Sequence, residues 1–119
     1  MKLRPYSGYE DGKPSGETAG YHHWCPACHE PHGIAVTHRN RSGAVWQFNG
    51  NLERPTFTPS VRCFTMDTEN DCGAPLPLPV QRTLCHYFIT EGMIVFCGDN
   101  PHALNGQTVP LPDWPQNRM

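Results

Sequence analysis

Short runs in which apolar and polar residues alternate recur along the chain, and no long segment carries apolar residues at helical spacing. The clearest run, 84–90, is joined by a two-residue loop, Glu91-Gly92, to a second run at 93–97. A short loop that ends in Gly between β-branched and aromatic runs is typical of a β-hairpin. The pattern as a whole predicts strands at 20–24, 33–38, 44–48, 56–65, 84–90, 93–97 and 107–111. We therefore predict a mainly β fold, a small antiparallel sheet or sandwich with irregular loops rich in Pro and Gly.

The hairpin loop also predicts a strand register. With Glu91-Gly92 as the loop, Thr90 faces Met93. Further along the same two strands, His86 faces Cys97 and Cys85 faces Gly98. Side chains alternate between the two faces of a strand, so Cys85 and His86 should point to opposite faces. The two side chains can ligate the same ion only if a β-bulge intervenes.

A chain of 119 residues predicts one domain. Residues 1–19 are polar and rich in Gly and Pro, which predicts an ordered arm outside the core. The β domain is predicted over 20–112, with a long loop at 67–82 whose Pro-spaced residues lie extended on the surface. Residues 113–119 are predicted to form a tail.

Charge and hydropathy exclude some classes of protein. The formal net charge of −2 argues against a large basic surface for nucleic acid. The chain has no run of about 18 apolar residues, so it predicts no membrane span. Its first nine residues hold no apolar segment of the kind found in signal peptides. We therefore expect a cytoplasmic protein whose six cysteines are reduced rather than paired in disulfides.

Two cysteines separated by two residues carry the strongest chemical signal. Cys25 and Cys28 lie in the run His23-Trp24-Cys25-Pro26-Ala27-Cys28, a tight turn that places two thiolates on one side. Such a knuckle is typical of a zinc site. Cys85 lies in the predicted hairpin, and His102 follows its second strand closely enough to fold back toward it. The sequence thus predicts one Zn²⁺ held by Cys25, Cys28, Cys85 and His102.

Other residues compete for the fourth position. His32 is the main competitor, because Cys-x-x-Cys-x-x-x-His is also a workable spacing, and His86 is the third choice. Asp99 is interpreted either as an acceptor that orients His102 or as an ordinary turn residue. The remaining cysteines are predicted to be ordinary residues outside the metal site: Cys63, Cys72 and Cys97.

Several motif blocks together resemble a known group of proteins. They are Trp24-Cys25-Pro26-x-Cys28-x-x-x-His32-Gly33-Ile34, Trp46-x-Phe48-Asn49-Gly50, Arg54-Pro55-Thr56-Phe57-Thr58-Pro59-Ser60-Val61, Cys85-His86-Tyr87-Phe88-Ile89 and His102-Ala103-Leu104-x-Gly106-Gln107-Thr108-Val109. Over residues 21–112 the chain resembles a family of small uncharacterised phage and prophage proteins, often labelled ammonia monooxygenase. The resemblance implies a phage or prophage origin and a compact zinc-type domain, and it implies no established activity. The label itself finds no support, since ammonia monooxygenase is an integral membrane complex.

Three functions remain open at this stage. The first is a phage-encoded binding module with a structural zinc, whose partner is a host or phage protein or a second copy of the chain. The second is a zinc-dependent hydrolase-like enzyme, which would need an open coordination position and would use the surplus His and Asp residues near the metal. The third is a nucleic-acid-binding zinc domain. No catalytic residue is predicted from the sequence.

Overall fold

The computed structural model describes residues 1–10, 13–40 and 43–115, and this part of the chain contains strands and turns but no helix. The prediction of a mainly β, antiparallel fold is therefore confirmed. In chain order the strands are β1 (Leu3–Glu10), β2 (Lys13–Cys25), β3 (Glu30–Ala35), β4 (Gln47–Phe48), β5 (Phe57–Glu69), β6 (Pro75–Thr90), β7 (Met93–Phe96) and β8 (Thr108–Pro110). Among the described residues, no helix has the length and hydropathy needed to cross a membrane.

The strands form two antiparallel sheets that share one core. One sheet has the order β1-β2-β3, and the other has the order β4-β5-β6-β7-β8. Ile34 of the first sheet packs in the same buried cluster as Phe57, Tyr87 and Ile94 of the second. On β6 every second residue is buried from Cys85 to Ile89, as expected of a strand that buries one face and exposes the other.

The hairpin between β6 and β7 has the predicted register. Thr90 pairs with Met93, and the ladder continues to the pair formed by Tyr87 and Phe96. One further backbone hydrogen bond joins Cys97 N to His86 O at 3.0 Å. Glu91 and Gly92 both adopt positive φ, as a two-residue hairpin loop requires.

The structure differs from the sequence-based interpretation at the N-terminus. Residues assigned to an arm outside the core form β1 and the first half of β2, and Leu3 is buried in the core. Pairing between the two strands satisfies their backbone groups although few of their side chains are apolar. The division into arm, domain and tail stays a prediction, and residues 11–12 of the arm and 116–119 of the tail lie outside the described part of the chain.

The predicted long loop at 67–82 is wrong. Strands β5 and β6 continue through it as a two-stranded ribbon, and a short turn at 70–74 joins them. In that turn the Asn70 side chain accepts hydrogen bonds from the backbone N–H groups of Cys72 and Ala74, both at 2.9 Å. The prolines that suggested a loop, Pro75, Pro77 and Pro79, lie where the ladder is irregular. Asp67 pairs with Val80 and Glu69 pairs with Pro75, so the residues at 76–79 have no partner on β5 that needs their N–H groups.

A β-bulge in β5 positions the candidate site. Phe57 pairs with Ile89 and Val61 pairs with Tyr87, so β5 advances four residues while β6 advances two. The extra residues place Ser60 outside the regular ladder. Bulges of this kind redirect side chains and are common beside active sites.

Candidate functional site

Ser60 lies in this bulge on the outward face of the second sheet. It is half-buried, and its carbonyl oxygen accepts a 3.0 Å hydrogen bond from the indole Nε1 of Trp46. This bond ties the bulge to the segment that precedes β4. The hydroxyl of Ser60 is therefore carried on backbone that is anchored from a second part of the chain.

The Ser60 hydroxyl begins a chain of hydrogen bonds that ends at a carboxylate. His86 Nε2 is 3.1 Å from Ser60 Oγ, and His86 Nδ1 is 3.1 Å from both carboxylate oxygens of Asp99. Because an ionised carboxylate only accepts, Nδ1 carries the proton and Nε2 is left to accept from the serine hydroxyl. This is the geometry of a Ser-His-Asp triad, in which the imidazole acts as a base toward the serine.

Asp99 is held as the charged member of this chain. The hydrogen bond with His86 lowers the pKa of Asp99 from its ordinary value of 3.8. Asp99 stays a carboxylate at neutral pH. A carboxylate in this place fixes the tautomer of the imidazole and stabilises the imidazolium that forms during catalysis.

The loop that carries Asp99 is fixed by the next residue. The side chain of Asn100 accepts a 2.7 Å hydrogen bond from His86 N and donates to His86 O at 2.9 Å and to Cys97 O at 2.8 Å. It thereby takes the place of a ladder partner where the β6–β7 pairing ends. The backbone that carries His86 and the backbone that carries Asp99 are joined directly by one side chain.

The three residues are open to solvent. The His86 side chain is 25% exposed and that of Asp99 is 55% exposed. Ser60 also lines a pocket of about 370 Å³. The His86 and Asp99 side chains can therefore be reached by a molecule from outside the protein.

A second group of chemically active side chains lies on the other face of β6. Cys85 Sγ is 3.9 Å from Cys25 Sγ and 3.5 Å from His102 Nε2. Two thiolates on one tetrahedral zinc ion stand about 3.8 Å apart, and a thiolate and an imidazole nitrogen about 3.6 Å apart, for usual zinc bond lengths. Each of these two distances fits a pair of neighbouring ligands on one metal ion.

The knuckle supplies further donors. Ligand atoms of Cys25, Cys28 and His32 lie within 4.8 Å of one another, a group that could hold a metal ion. The turn is closed by the backbone N–H of Cys28, which donates to Cys25 Sγ at 3.4 Å. The full ligand set of Cys25, Cys28, Cys85 and His102 stays a prediction, as does zinc itself.

The alternative ligands have other contacts. His32 Nδ1 is 3.1 Å from the Tyr87 hydroxyl, which also lies 2.5 Å from His23 Nε2. Both nitrogens of His86 face Ser60 and Asp99, although His86, Asp99 and Cys97 form a second group with metal-ligand spacing. The contacts with Ser60 and Asp99 place His86 in the triad, so it is not a free alternative for the fourth ligand position.

The thiols of the cluster are electrostatically coupled. A hydrogen bond from Cys85 lowers the pKa of Cys25 to about 5, and the same bond raises the pKa of Cys85. Burial raises the pKa of Cys28 to about 11 and that of Cys63 to about 12. Cys25 therefore forms a thiolate readily, and this thiolate accepts a hydrogen bond from the Cys85 thiol. A metal ion bound to both sulfur atoms would displace the proton of that bond. All six cysteines are free thiols.

Ser60 was missed by the sequence analysis, and His86 and Asp99 were considered only in connection with the metal. No short motif surrounds the serine, and the three residues lie far apart in the chain. The hairpin register predicts that His86 faces outward, away from Cys85, and that Asp99 follows the paired strand. The missing information was which strand pairs with the other edge of β6, and that pairing alone brings Ser60 to the imidazole.

Comparison with known proteins changes the functional interpretation. The model of a family described as "Bacterial ubiquitination-like system serine protease (BubE)" matches residues 3–97. A search of curated proteins and a search of solved structures each found no match.

The family match overturns the function predicted from the sequence. The interpretation as a phage or prophage binding module is wrong, because the matched family is named for a bacterial protease. Neither the zinc-dependent hydrolase nor the nucleic-acid-binding domain is supported by the match. Since the matched region spans well over half of the 119 residues, the chain belongs to the family of bacterial ubiquitination-like system serine proteases (BubE).

Proposed function

We propose that this protein is a serine peptidase in which Ser60 is the nucleophile, His86 the general base and acid, and Asp99 the residue that orients His86. The observation that carries the proposal is the unbroken hydrogen-bonded chain from Ser60 Oγ through both nitrogens of His86 to Asp99. The family description supports it independently, because it names a serine protease.

In this proposal each step of acyl transfer is carried out by one of the three groups. Ser60 Oγ attacks the carbonyl carbon of the scissile bond while His86 Nε2 takes the hydroxyl proton. His86 then gives that proton to the departing amine, which leaves an ester between Ser60 and the acyl part of the substrate. A water molecule, deprotonated by His86, attacks the ester, and the proton returns to Ser60 as the acid product leaves. Asp99 stays ionised and stabilises the imidazolium in both halves of the reaction.

We propose a protein substrate that presents an extended segment to Ser60. The family is described as a serine protease of a bacterial ubiquitination-like system, and a protease acts on proteins. The exposure of His86 and Asp99 agrees with this, because a small enclosed site would exclude a protein chain. The protein partner expected from the sequence is, in this proposal, the substrate. Self-association stays a prediction.

Covalent labelling tests the nucleophile directly. A fluorophosphonate should add once to the parent protein, and peptide mapping should find the adduct on Ser60. Ser60→Ala should abolish the adduct and His86→Ala should slow it by about 100-fold or more, since general base catalysis contributes about 10²–10⁴. Ser7→Ala, in the distant strand β1, is the matched control and should label at the parent rate. Labelling that persists unchanged in Ser60→Ala would refute the proposal.

We also propose that Cys25, Cys28, Cys85 and His102 hold one Zn²⁺ with a structural role. The distances from Cys85 Sγ to Cys25 Sγ and to His102 Nε2 support it, because both are those of neighbouring ligands on one ion. His102 is preferred to His32 because its Nε2 lies 3.5 Å from Cys85 Sγ, and His32, which is grouped with Cys25 and Cys28, is the competing ligand.

Such an ion would stabilise the catalytic geometry from the inner face of the second sheet. Cys85 directly precedes His86, and His102 follows Asp99 by three residues. A bond from one ion to both ligands would hold β6 and the loop after β7 together on the inner face. Two members of the triad, His86 and Asp99, lie on the outer face of the same two segments. We place the protein in the bacterial cytoplasm, where the free thiols that the metal needs stay reduced.

Metal analysis tests the second proposal. Protein purified without added zinc should contain about one equivalent, because sites with several thiolates bind zinc tightly. Cys85→Ser should lose that zinc, whereas Cys72→Ser, in the exposed ribbon turn, should keep it. Parent protein that is folded, reduced and free of metal would contradict the proposal.

A further inference from the structure

Among the described residues, those that line the pocket beside Ser60 include two arginines and no acidic residue. Arg39 and Arg62 both line it, together with apolar side chains that include Trp46 and Phe64. It therefore joins two cations and an apolar wall directly to the proposed nucleophile. Substrate residues next to the scissile bond must lie in or beside this space.

Neither arginine forms an ion pair with a carboxylate within the described part of the chain, although, besides the hydrogen bond with His86, the charge of Arg62 contributes to the lowered pKa of Asp99. Arg62 donates from Nε to Thr83 Oγ1 at 2.7 Å and from Nη1 to Gln81 Oε1 at 2.5 Å. Arg39 donates from Nη1 to the carbonyl oxygen of Gly43 at 2.7 Å. All three acceptors are neutral, so they orient the guanidinium groups without neutralising them. By contrast, the exposed Arg54 and Arg82 lie beside Glu91 and Asp67.

Bonds to neutral acceptors also restrict how the two side chains can move. Arg62 is fixed against β6 by two bonds, and its Nη2 is left without a bond inside the described protein. Arginine presents its donors in a planar fork that suits carboxylate oxygens, and less side-chain entropy is lost when the fork is already oriented. Two oriented cations beside a nucleophile, neither of them in an ion pair within the described residues, are suited to binding a negative group of the substrate.

We propose that this pocket binds a carboxylate of the substrate, paired with Arg39 and Arg62, while Trp46 and Phe64 contact the carbon atoms that carry it. The inference rests on the proposed peptidase function and names the substrate chemistry of that same site. The carboxylate has two possible sources: an Asp or Glu side chain near the scissile bond, or the free C-terminus of a short segment beyond it.

A pair of covalent probes measures the preference at Ser60 itself. The two fluorophosphonates have identical alkyl chains that end in a carboxylate or in the neutral carboxamide, and each is prepared with chains of three and five carbons. The carboxylate probe should label Ser60 about tenfold faster, the factor expected of hydrogen bonds to a charged group. The ratio should shrink from low to high salt, since the screening length falls from about 10 Å at 0.1 M to about 3 Å at 1 M.

Variants then assign the preference to the two arginines. Arg39→Gln and Arg62→Gln should each reduce the ratio of the two labelling rates at least threefold, and the double variant should bring it to about one. The ratio compares the labelling rates of two probes on the same variant. A general loss of reactivity in Arg62→Gln lowers both rates equally and therefore leaves the ratio unchanged. Arg54→Gln, which removes a cation outside the pocket, is the matched control and should keep the parent ratio.

The outcomes separate failure of the inference from failure of the proposed function. If neither probe labels Ser60, the peptidase function fails and the inference falls with it. If both probes label Ser60 at equal rates, or if the preference survives in the double variant, the inference alone is overturned. Where the preference appears, quenched peptides carrying Glu or Gln near the cut, or ending in a free acid or an amide, distinguish the two sources of the carboxylate.

Discussion

Asn100 offers a sharp test of how the fold holds the triad. Its side chain makes three hydrogen bonds with backbone groups of His86 and Cys97, at 2.7, 2.9 and 2.8 Å. Asn100→Ala removes all three and leaves the main chain of β7 unchanged. No other side chain joins the backbone of His86 to the loop that carries Asp99 in the described residues.

The expected loss of stability follows from these contacts. Each bond contributes about 1 kcal/mol, and the site is half-buried, so water replaces part of what is lost. We expect the free energy of unfolding to fall by about 2–3 kcal/mol. For a chain of 119 residues, 1 kcal/mol corresponds to about 4 °C in Tm. Thermal unfolding followed by circular dichroism should therefore show a decrease of about 8–12 °C.

The effect on reactivity separates positioning from simple stability. At 15 °C, where the variant is still folded, the rate at which a fluorophosphonate labels Ser60 should fall by about 10- to 100-fold, because a displacement near 1 Å can cost about 100-fold. Asn70→Ala is the matched control, since it removes two backbone hydrogen bonds at the distant ribbon turn. It should lower Tm by a few degrees and keep the parent labelling rate. Equal rates in the two variants would refute the idea that Asn100 positions His86 and Asp99.

Three further outcomes are expected. Tyr87→Phe removes a fully buried hydroxyl that contacts His23 and His32, so unfolding should become easier by about 2–4 kcal/mol, whereas Tyr21→Phe should melt like the parent; equal melting of the two variants would contradict the network. Removal of metal with a strong chelator under reducing conditions should lower Tm and slow Ser60 labelling together, and added Zn²⁺ should restore both; labelling that is unchanged in metal-free protein would exclude a supporting role for the ion. Asp99→Asn should slow labelling by at least tenfold with little change in Tm, because the carboxylate is exposed and acts through His86; a parent-like rate would remove Asp99 from the triad.

Local pattern predicted the parts of the fold that depend on neighbouring residues. The two-residue loop at Glu91-Gly92 requires positive φ, and the flanking runs alternate, so both the hairpin and its register followed from the sequence. The same alternation placed Cys85 and His86 on opposite faces. The ribbon at 67–82 was mistaken for a loop because prolines are tolerated where the pairing of two strands is interrupted, and the local pattern does not reveal which positions stay unpaired.

The candidate sites depend on contacts that the local sequence pattern does not predict. By itself the sequence determined a small antiparallel β fold, a turn that brings Cys25 near Cys28, and a strand with a thiol on one face and an imidazole on the other. Only the tertiary structure decided what meets each face. The pairing of β5 with β6, and the bulge within it, bring Ser60 to His86, while the packing of the two sheets brings Cys25 to Cys85. The physical reason is that contacts between distant segments depend on which strands pair and in what register, and alternation within a single strand is the same for every possible partner.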